Sequence, residues 1–127
     1  MQVKNILKTQ KQGIALEFFP PKNPADRETF LKTVRELIAL SALYASMTYG
    51  AGGTTQDRTF SALKWIRGET DLPLMSHLTC IGATRASLGA LLEAYHTAGI
   101  ENILALRGDP PKNAPDFDRV AGDFKYA

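Results

Sequence analysis

The chain has 127 residues, of which 44% are hydrophobic and 22% are charged, and its formal net charge is +2. These proportions exclude a disordered or collagen-like chain, and the interspersed charges favour neither a nucleic-acid partner nor a membrane surface. Cys80 is the single cysteine, which excludes an internal disulfide, and no apolar run could cross a bilayer or form a secretory signal, so we expect a cytoplasmic protein.

After an N-terminal lead-in segment over residues 1–12, short apolar segments alternate with amphipathic ones, which predicts a single domain over residues 1–127. The apolar segments are short and rich in β-formers, and they predict four strands: Ile14–Phe19, Leu43–Thr48, Leu74–Thr79 and Asn102–Leu106. Start and stop signals predict three helices between them, which begin at Asn23, after Thr54-Thr55 and at Thr84, the last of them ending at Gly99.

Polar residues stand at the ends of the predicted strands and recur every ~30 residues, the length of one strand–helix unit: Glu17, Thr48, Thr79 and Asp109. Strands that alternate with helices lie parallel, so these side chains collect at one end of the sheet, where active sites lie in barrels and in open α/β folds. A flavodoxin-like open sheet would be complete at this length, whereas an eightfold barrel needs about 250 residues. The polar residue at every strand end favours the barrel slightly.

Glu17 lies in the segment IALEFFPP, between Leu16 and Phe18, in a strand that we expect to be buried. A carboxyl group in an apolar strand is costly to ionise, which suits a general acid near neutral pH. The alternative is a structural glutamate paired with Arg107.

The loop after the second strand, TYGAGGTT (Thr48–Thr55), has three glycines between a strand and a helix. Glycine lets the backbone approach a ligand closely, and the first N–H groups of a helix attract anions. The spacing matches neither the dinucleotide fingerprint nor the Walker A loop, so an ordinary tight turn is the alternative.

His77 and Cys80 have the spacing of half a metal site, but no second pair exists, and residues three apart in a strand point to opposite faces. We therefore expect no metal, and His77 is either a ligand contact or a structural histidine.

The fourth predicted strand is followed by RGDPPK (Arg107–Lys112), where Arg107 offers a planar donor and Asp109 a carboxylate. An adhesion role for this Arg-Gly-Asp sequence would require a secreted protein and is disfavoured.

Together these motifs resemble the methylenetetrahydrofolate reductase family. The resemblance covers nearly all of the chain from Ile14 onward and is carried by EFFPPK (Glu17–Lys22), MTYGAGG (Met47–Gly53), HLTC (His77–Cys80), GIENILALRGDPP (Gly99–Pro111) and FKYA (Phe124–Ala127). It implies that residues 1–127 are a single partial domain, the N-terminal half, about four βα units, of a (β/α)8 TIM barrel with FAD at its carboxyl mouth. It also implies a ping-pong reaction, in which NAD(P)H reduces FAD at N5 and the reduced flavin then converts 5,10-methylenetetrahydrofolate to 5-methyltetrahydrofolate.

The resemblance further implies roles for individual residues. Glu17 would be the catalytic acid that helps to open the five-membered ring of the folate, and Asp109 would lie beside flavin and folate and adjust the reducing power of the flavin. Both would bind substrate. Cofactor-binding positions of the family are matched by Thr48, Tyr49, Ala51, His77, Arg107, Gly108, Asp109 and Ala127. A folate substrate and a homo-oligomer are the implied partners.

Four strands and three helices make only half of such a barrel, so we expect a truncated form of the reductase that does not turn over alone. The alternative is a small non-catalytic α/β module that binds a nucleotide or a protein partner and folds as a monomer. A barrel lyase or aldolase without flavin is disfavoured, because no lysine stands at a predicted strand end to form a Schiff base.

Overall fold

Parallel strands joined by helices build the molecule, as the alternating sequence predicts. The computed structural model describes residues 1–49, 56–109 and 122–127. Its elements are α1 (Val3–Thr9), β1 (Ile14–Phe18), a 3-10 turn (Pro24–Asp26), α2 (Arg27–Ile38), β2 (Ala42–Met47), α3 (Gln56–Glu69), β3 (Leu74–Thr79), α4 (Arg85–Thr97) and β4 (Asn102–Leu106).

The four strands form one sheet in the order β1-β2-β3-β4, and every neighbouring pair is parallel. β3 and β4 have the predicted bounds, and β1 and β2 differ from the prediction only at their ends. A flavodoxin-like sheet would reverse its strand order next to the first strand, whereas in the described part of the chain β1 is an edge and the order follows the chain. The fold is therefore that of half a (β/α)8 barrel, which confirms the predicted fold class.

The helix starts follow from local side-chain chemistry. Asn23 accepts a hydrogen bond from the Ala25 N–H at 3.0 Å, and Pro24 opens the 3-10 turn that leads into α2. Thr84 and Ser87 form a reciprocal capping box at the start of α4, which ends before Gly99, as predicted. The predicted start of α3 at Thr54-Thr55 lies outside the described residues, and α3 is described from Gln56.

The core lies between the sheet and helices α2, α3 and α4. Alternate strand residues point into it, and the buried core comprises Phe18, Val34, Ala45, Met47, Ala62, Leu63, Ile66, Leu74, Leu78, Leu91, Tyr95 and Ile100. The remaining strand residues form the opposite face of the sheet, which we call the inner face. Glu17, Ser46, His77 and Leu104 belong to it, since Glu17 pairs with Ser46 and His77 with Leu104 in register.

The N-terminal segment, predicted only as a lead-in, contains the short helix α1. Val3 and Ile6 of this helix are buried, and the Asn102 side chain holds its first turn, because Asn102 Oδ1 accepts from the Val3 N–H at 2.8 Å. Asn102 is the first residue of β4, so α1 lies at the amino end of the sheet, opposite the end that carries the polar residues. No helix within the described ranges combines the length and apolar character needed to cross a bilayer.

Candidate active site at the carboxyl ends of the strands

Glu17 and His77 form an acid–histidine pair on the inner face. Glu17 Oε2 lies 3.5 Å from His77 Nε2, although the two residues belong to β1 and β3 and are separated by β2. Neighbouring strands are about 4.8 Å apart, so the two long side chains reach towards each other across the middle strand. The contact is an ion pair when the imidazole carries a proton on both nitrogens.

Glu17 is not buried, contrary to the prediction. Its side chain is 54% exposed, because strand alternation turns Leu16 and Phe18 towards the core and Glu17 towards the inner face, away from helices α2, α3 and α4. The sequence argument from desolvation is therefore wrong for this carboxyl. Its ion-pair partner is His77 and not Arg107, the partner considered in the alternative interpretation.

His77 is the buried member of the pair, with a side chain that is only 11% exposed. Its neighbour Ser76 is also buried and donates from Oγ to the His77 carbonyl oxygen at 3.1 Å. Cys80, the other half of the apparent metal spacing, is a buried free thiol just beyond the end of β3. The described residues contain no cluster of three or more His, Cys, Asp or Glu side chains that could hold a metal ion.

Ser46 is a site residue that the sequence did not indicate. It pairs with Glu17 in register, is buried, and donates from Oγ to the Leu16 carbonyl oxygen at 3.4 Å. A small side chain at this position leaves room above β2 for Glu17 and His77 to approach each other. Strand registration, which the sequence does not reveal, is the only signal that would have identified it.

Thr48 and Tyr49 follow β2 and are half-buried. The Thr48 N–H donates to the Phe18 carbonyl oxygen at 2.9 Å, and the Thr48 carbonyl oxygen accepts from Thr59 Oγ1 at 3.0 Å, so the backbone is fixed from both sides. Burial raises the pKa of the Tyr49 phenol, with smaller contributions from Tyr95, Asp57 and Cys80, which keeps it a neutral donor at ordinary pH. Ala51 lies outside the described residues.

Arg107, Gly108 and Asp109 leave the carboxyl end of β4. Gly108 has φ +86°, and a Cβ atom there would lie 2.8 Å from Ile81 Cγ2 and 2.9 Å from the Thr79 Cβ, so only glycine fits this approach to β3. The Arg107 carbonyl oxygen accepts from the Ile81 N–H at 2.8 Å, which holds the turn in place. Asp109 is exposed at the same end of the sheet.

Ala127 belongs to a short described segment, residues 122–127, that lies against the start of α4. The Asp123 N–H donates to the Ala83 carbonyl oxygen at 2.9 Å, and Asp123 Oδ2 accepts from the Arg85 N–H at 2.7 Å. Since α4 follows the carboxyl end of β3, this segment is attached to the end of the sheet that carries Glu17 and His77. Ala127 itself is exposed.

We call this end of the sheet the mouth; its described residues are Glu17, Thr48, Tyr49, His77, Thr79 and Arg107–Asp109. The donor set fits a dinucleotide cofactor, because an exposed guanidinium suits a diphosphate, and threonine, tyrosine and histidine side chains can bond to ring and ribose atoms. Leu104 and Leu106 on β4 are partly exposed and would supply apolar surface for a planar ring system. The residues present therefore fit a flavin cofactor.

Comparison with known proteins matches this chain to a protein family. Residues 2–127 match the family described as "Methylenetetrahydrofolate reductase". A "5,10-methylenetetrahydrofolate reductase" of Pectobacterium carotovorum subsp. carotovorum is 39% identical over 112 residues, which cover 88% of this chain and 38% of that protein. A protein of the same name from Escherichia coli (strain K12) is 37% identical over 112 residues, with the same two coverages of 88% and 38%.

A plant relative matches more of this chain. "Methylenetetrahydrofolate reductase (NADH) 1" of Arabidopsis thaliana is 32% identical over 126 residues, which cover 99% of this chain and 21% of that protein. The chain thus spans 38% or less of the length of these relatives.

Proposed function

Because the chain belongs to the methylenetetrahydrofolate reductase family, we propose that it forms the flavin-binding mouth of an enzyme that reduces 5,10-methylenetetrahydrofolate to 5-methyltetrahydrofolate with NAD(P)H. The observation that carries the proposal is the Glu17–His77 pair at 3.5 Å, because it unites two of the motifs on which the family resemblance rests. The full reaction requires the rest of a barrel, since the chain covers 38% of its bacterial relatives.

In this proposal FAD would be held by Thr48, Tyr49, Ala51, His77, Arg107, Gly108, Asp109 and Ala127. When bound, it would accept a hydride from NAD(P)H and deliver it to the folate. The Arg107 guanidinium supplies the positive charge that a diphosphate requires. Asp109 places a negative charge at the mouth, which disfavours a further negative charge on the cofactor and so adjusts its reducing power.

Glu17 is proposed as the acid that protonates the folate. Opening of the five-membered ring of 5,10-methylenetetrahydrofolate needs a proton on the ring nitrogen that leaves, and a carboxyl group with an exposed edge can deliver one. His77 Nε2 lies 3.5 Å from Oε2 of the same carboxyl, so it can hold that oxygen in position.

The proposal is tested with a chimaera in which residues 1–127 replace the matching segment of the Pectobacterium carotovorum relative. We expect the chimaera to bind FAD and to complete both half-reactions, measured by flavin absorbance after separate addition of NAD(P)H and folate. Glu17→Gln is expected to retain flavin reduction by NAD(P)H and to lose the folate half-reaction by about 10²–10⁴-fold, the usual contribution of a general acid.

Glu36→Gln serves as the matched control, because Glu36 is an exposed carboxylate on α2. This control should leave both half-reactions unchanged. Equal loss of both half-reactions in Glu17→Gln would indicate a structural role for Glu17. A folded chimaera that binds no FAD would contradict the proposed cofactor.

A further inference from the structure

Asp123 bonds to the chain on both sides of Thr84, the N-cap residue of α4. Its N–H donates to the Ala83 carbonyl oxygen at 2.9 Å, and its Oδ2 accepts from the Arg85 N–H at 2.7 Å. In the capping box, the Ser87 N–H donates to Thr84 Oγ1 at 3.1 Å. Asp123 accepts from the Arg85 N–H, which is a second backbone donor of the first turn. A carboxylate at this helix end also interacts favourably with the helix dipole.

Gly122 allows this contact to form. Its φ is +90°, and a Cβ atom would lie 2.5 Å from the Ala83 carbonyl oxygen and 2.8 Å from the Gly82 carbonyl carbon. Both obstacles are backbone atoms, which cannot move aside as a flexible side chain would, so no other residue fits. On the other side of Asp123, the Phe124 ring lies 5.6 Å from the Arg85 guanidinium carbon in a cation–π contact.

The loop that receives these contacts is itself fixed to the mouth. The Cys80 N–H donates to the Leu106 carbonyl oxygen at 2.9 Å, and the Ile81 N–H donates to the Arg107 carbonyl oxygen at 2.8 Å. The β3–α4 loop is therefore bonded to the end of β4, beside the residues proposed to bind the cofactor. A segment attached at Asp123 can place its next four residues within about 14 Å of that point.

We propose that Gly122 and Asp123 form a tether that positions the segment Phe124–Ala127 at the mouth, where Ala127 contacts the flavin. The role of Ala127 rests on the proposed function, whereas the tether is defined by contacts within the chain. Asp123 is thus a positioning residue, which acts on the cofactor through the segment that follows it.

The test compares three variants of the 127-residue chain: Asp123→Ala, Asp123→Asn and Thr84→Ala. The first removes the tether, the second retains an oxygen acceptor, and the third removes a different cap of the same helix without touching residues 122–127. Hydrogen exchange of backbone amides is measured on the 127-residue chain without ligand. FAD affinity is measured by quenching of flavin fluorescence with the same substitutions in the chimaera that supplies the rest of the barrel.

We expect Asp123→Ala to accelerate exchange at Arg85 and at Phe124–Ala127, and to weaken FAD binding by about tenfold, the size of one lost hydrogen bond to a charged group. Asp123→Asn should restore most of both properties. Thr84→Ala should accelerate exchange in the first turn of α4 and leave FAD affinity unchanged. If Asp123→Ala fails to fold, the milder Asp123→Asn is compared with Thr84→Ala in the same two measurements.

If Asp123→Ala leaves the hydrogen-exchange rate of the Arg85 amide unchanged, the proposed tether is wrong. Faster exchange with unchanged FAD affinity would overturn the positioning role. A chimaera that binds no FAD would contradict the proposed cofactor and with it the role of Ala127, and the exchange result would still decide whether the tether exists.

Discussion

At the scale of single residues, Tyr95 is the largest fully buried side chain of the described core. Its ring packs edge-on against Phe60 with centroids 5.5 Å apart, and its hydroxyl is buried without a hydrogen-bond partner among the described residues. Burial raises the pKa of the Tyr95 phenol. The ring therefore stabilises the core, whereas the hydroxyl does not.

We predict that Tyr95→Phe leaves the free energy of unfolding near neutral pH unchanged or increases it by up to about 1 kcal/mol, because no hydrogen bond is lost. Above pH 10 the parent should lose stability, since the unfolded chain releases the phenolic proton at a lower pH than the folded chain does. Urea unfolding from pH 8 to pH 11 checks both statements. Tyr95→Phe should reduce this alkaline loss, whereas Tyr126→Phe, at an exposed tyrosine, should not. A clear loss of stability at pH 7 in Tyr95→Phe would mean that the hydroxyl is bonded.

The candidate site could be predicted only in part at this scale. The order of the motifs along the chain was sufficient to identify Glu17 and His77 as candidate site residues, because their residue types and positions match a known family. Their direct pairing and the exposure of Glu17 could not be predicted, since both depend on strand registration and on which face the helices cover. Ser46 was missed for the same reason.

At the scale of elements, the Asn102 side chain joins α1 to the sheet. Oδ1 accepts from the Val3 N–H at 2.8 Å, while Nδ2 donates to the carbonyl oxygens of Leu74 at 2.9 Å and Met1 at 3.2 Å. One amide thus uses its acceptor and both donors to connect the first residues of the chain with β3 and β4.

We predict that Asn102→Ala lowers the free energy of unfolding by about 1–3 kcal/mol, because it leaves the partly buried Val3 and Leu74 backbone groups without their partner. Hydrogen exchange should accelerate first in α1. Asn5→Ala is the control, since Asn5 is an exposed residue on α1, and it should change stability little. Equal effects of the two substitutions would show that the amide of Asn102 does not hold α1.

The elements with long repeating patterns could be predicted, and α1 could not. β3, β4 and the start of α4 match the prediction because β-former runs and the Thr84 cap are local signals. Helix α1 has seven residues and only two buried side chains, Val3 and Ile6, so its apolar pattern is too short to indicate a helix.

At the scale of the whole molecule, the inner face and the two edge strands determine how the chain behaves in solution. Leu104 and Leu106 on β4 are each 39% exposed, and β1 and β4 carry edges that pair with no other strand among the described residues. Exposed parallel edges beside apolar side chains favour association with another chain.

We predict that the chain self-associates as its concentration rises, as measured by sedimentation velocity. Leu104→Lys should shift the population towards monomer, because it places a charge on the inner face. Leu92→Lys is the matched control: Leu92 is 41% exposed but lies on α4, away from that face, so association should persist. A parent chain that stays monomeric at every concentration would favour the alternative of an independent α/β module.

The contact between Val3 and Asn102 has a consequence for the order of events during synthesis. The two residues are 99 positions apart, whereas each strand pairs with the one made just before it. The sheet can therefore grow strand by strand as the polypeptide emerges from the ribosome, at a modest entropic cost for each addition. Helix α1 is made before the four strands but can dock on Asn102 only after β4 has emerged. Docking of α1 therefore follows the formation of all four strands.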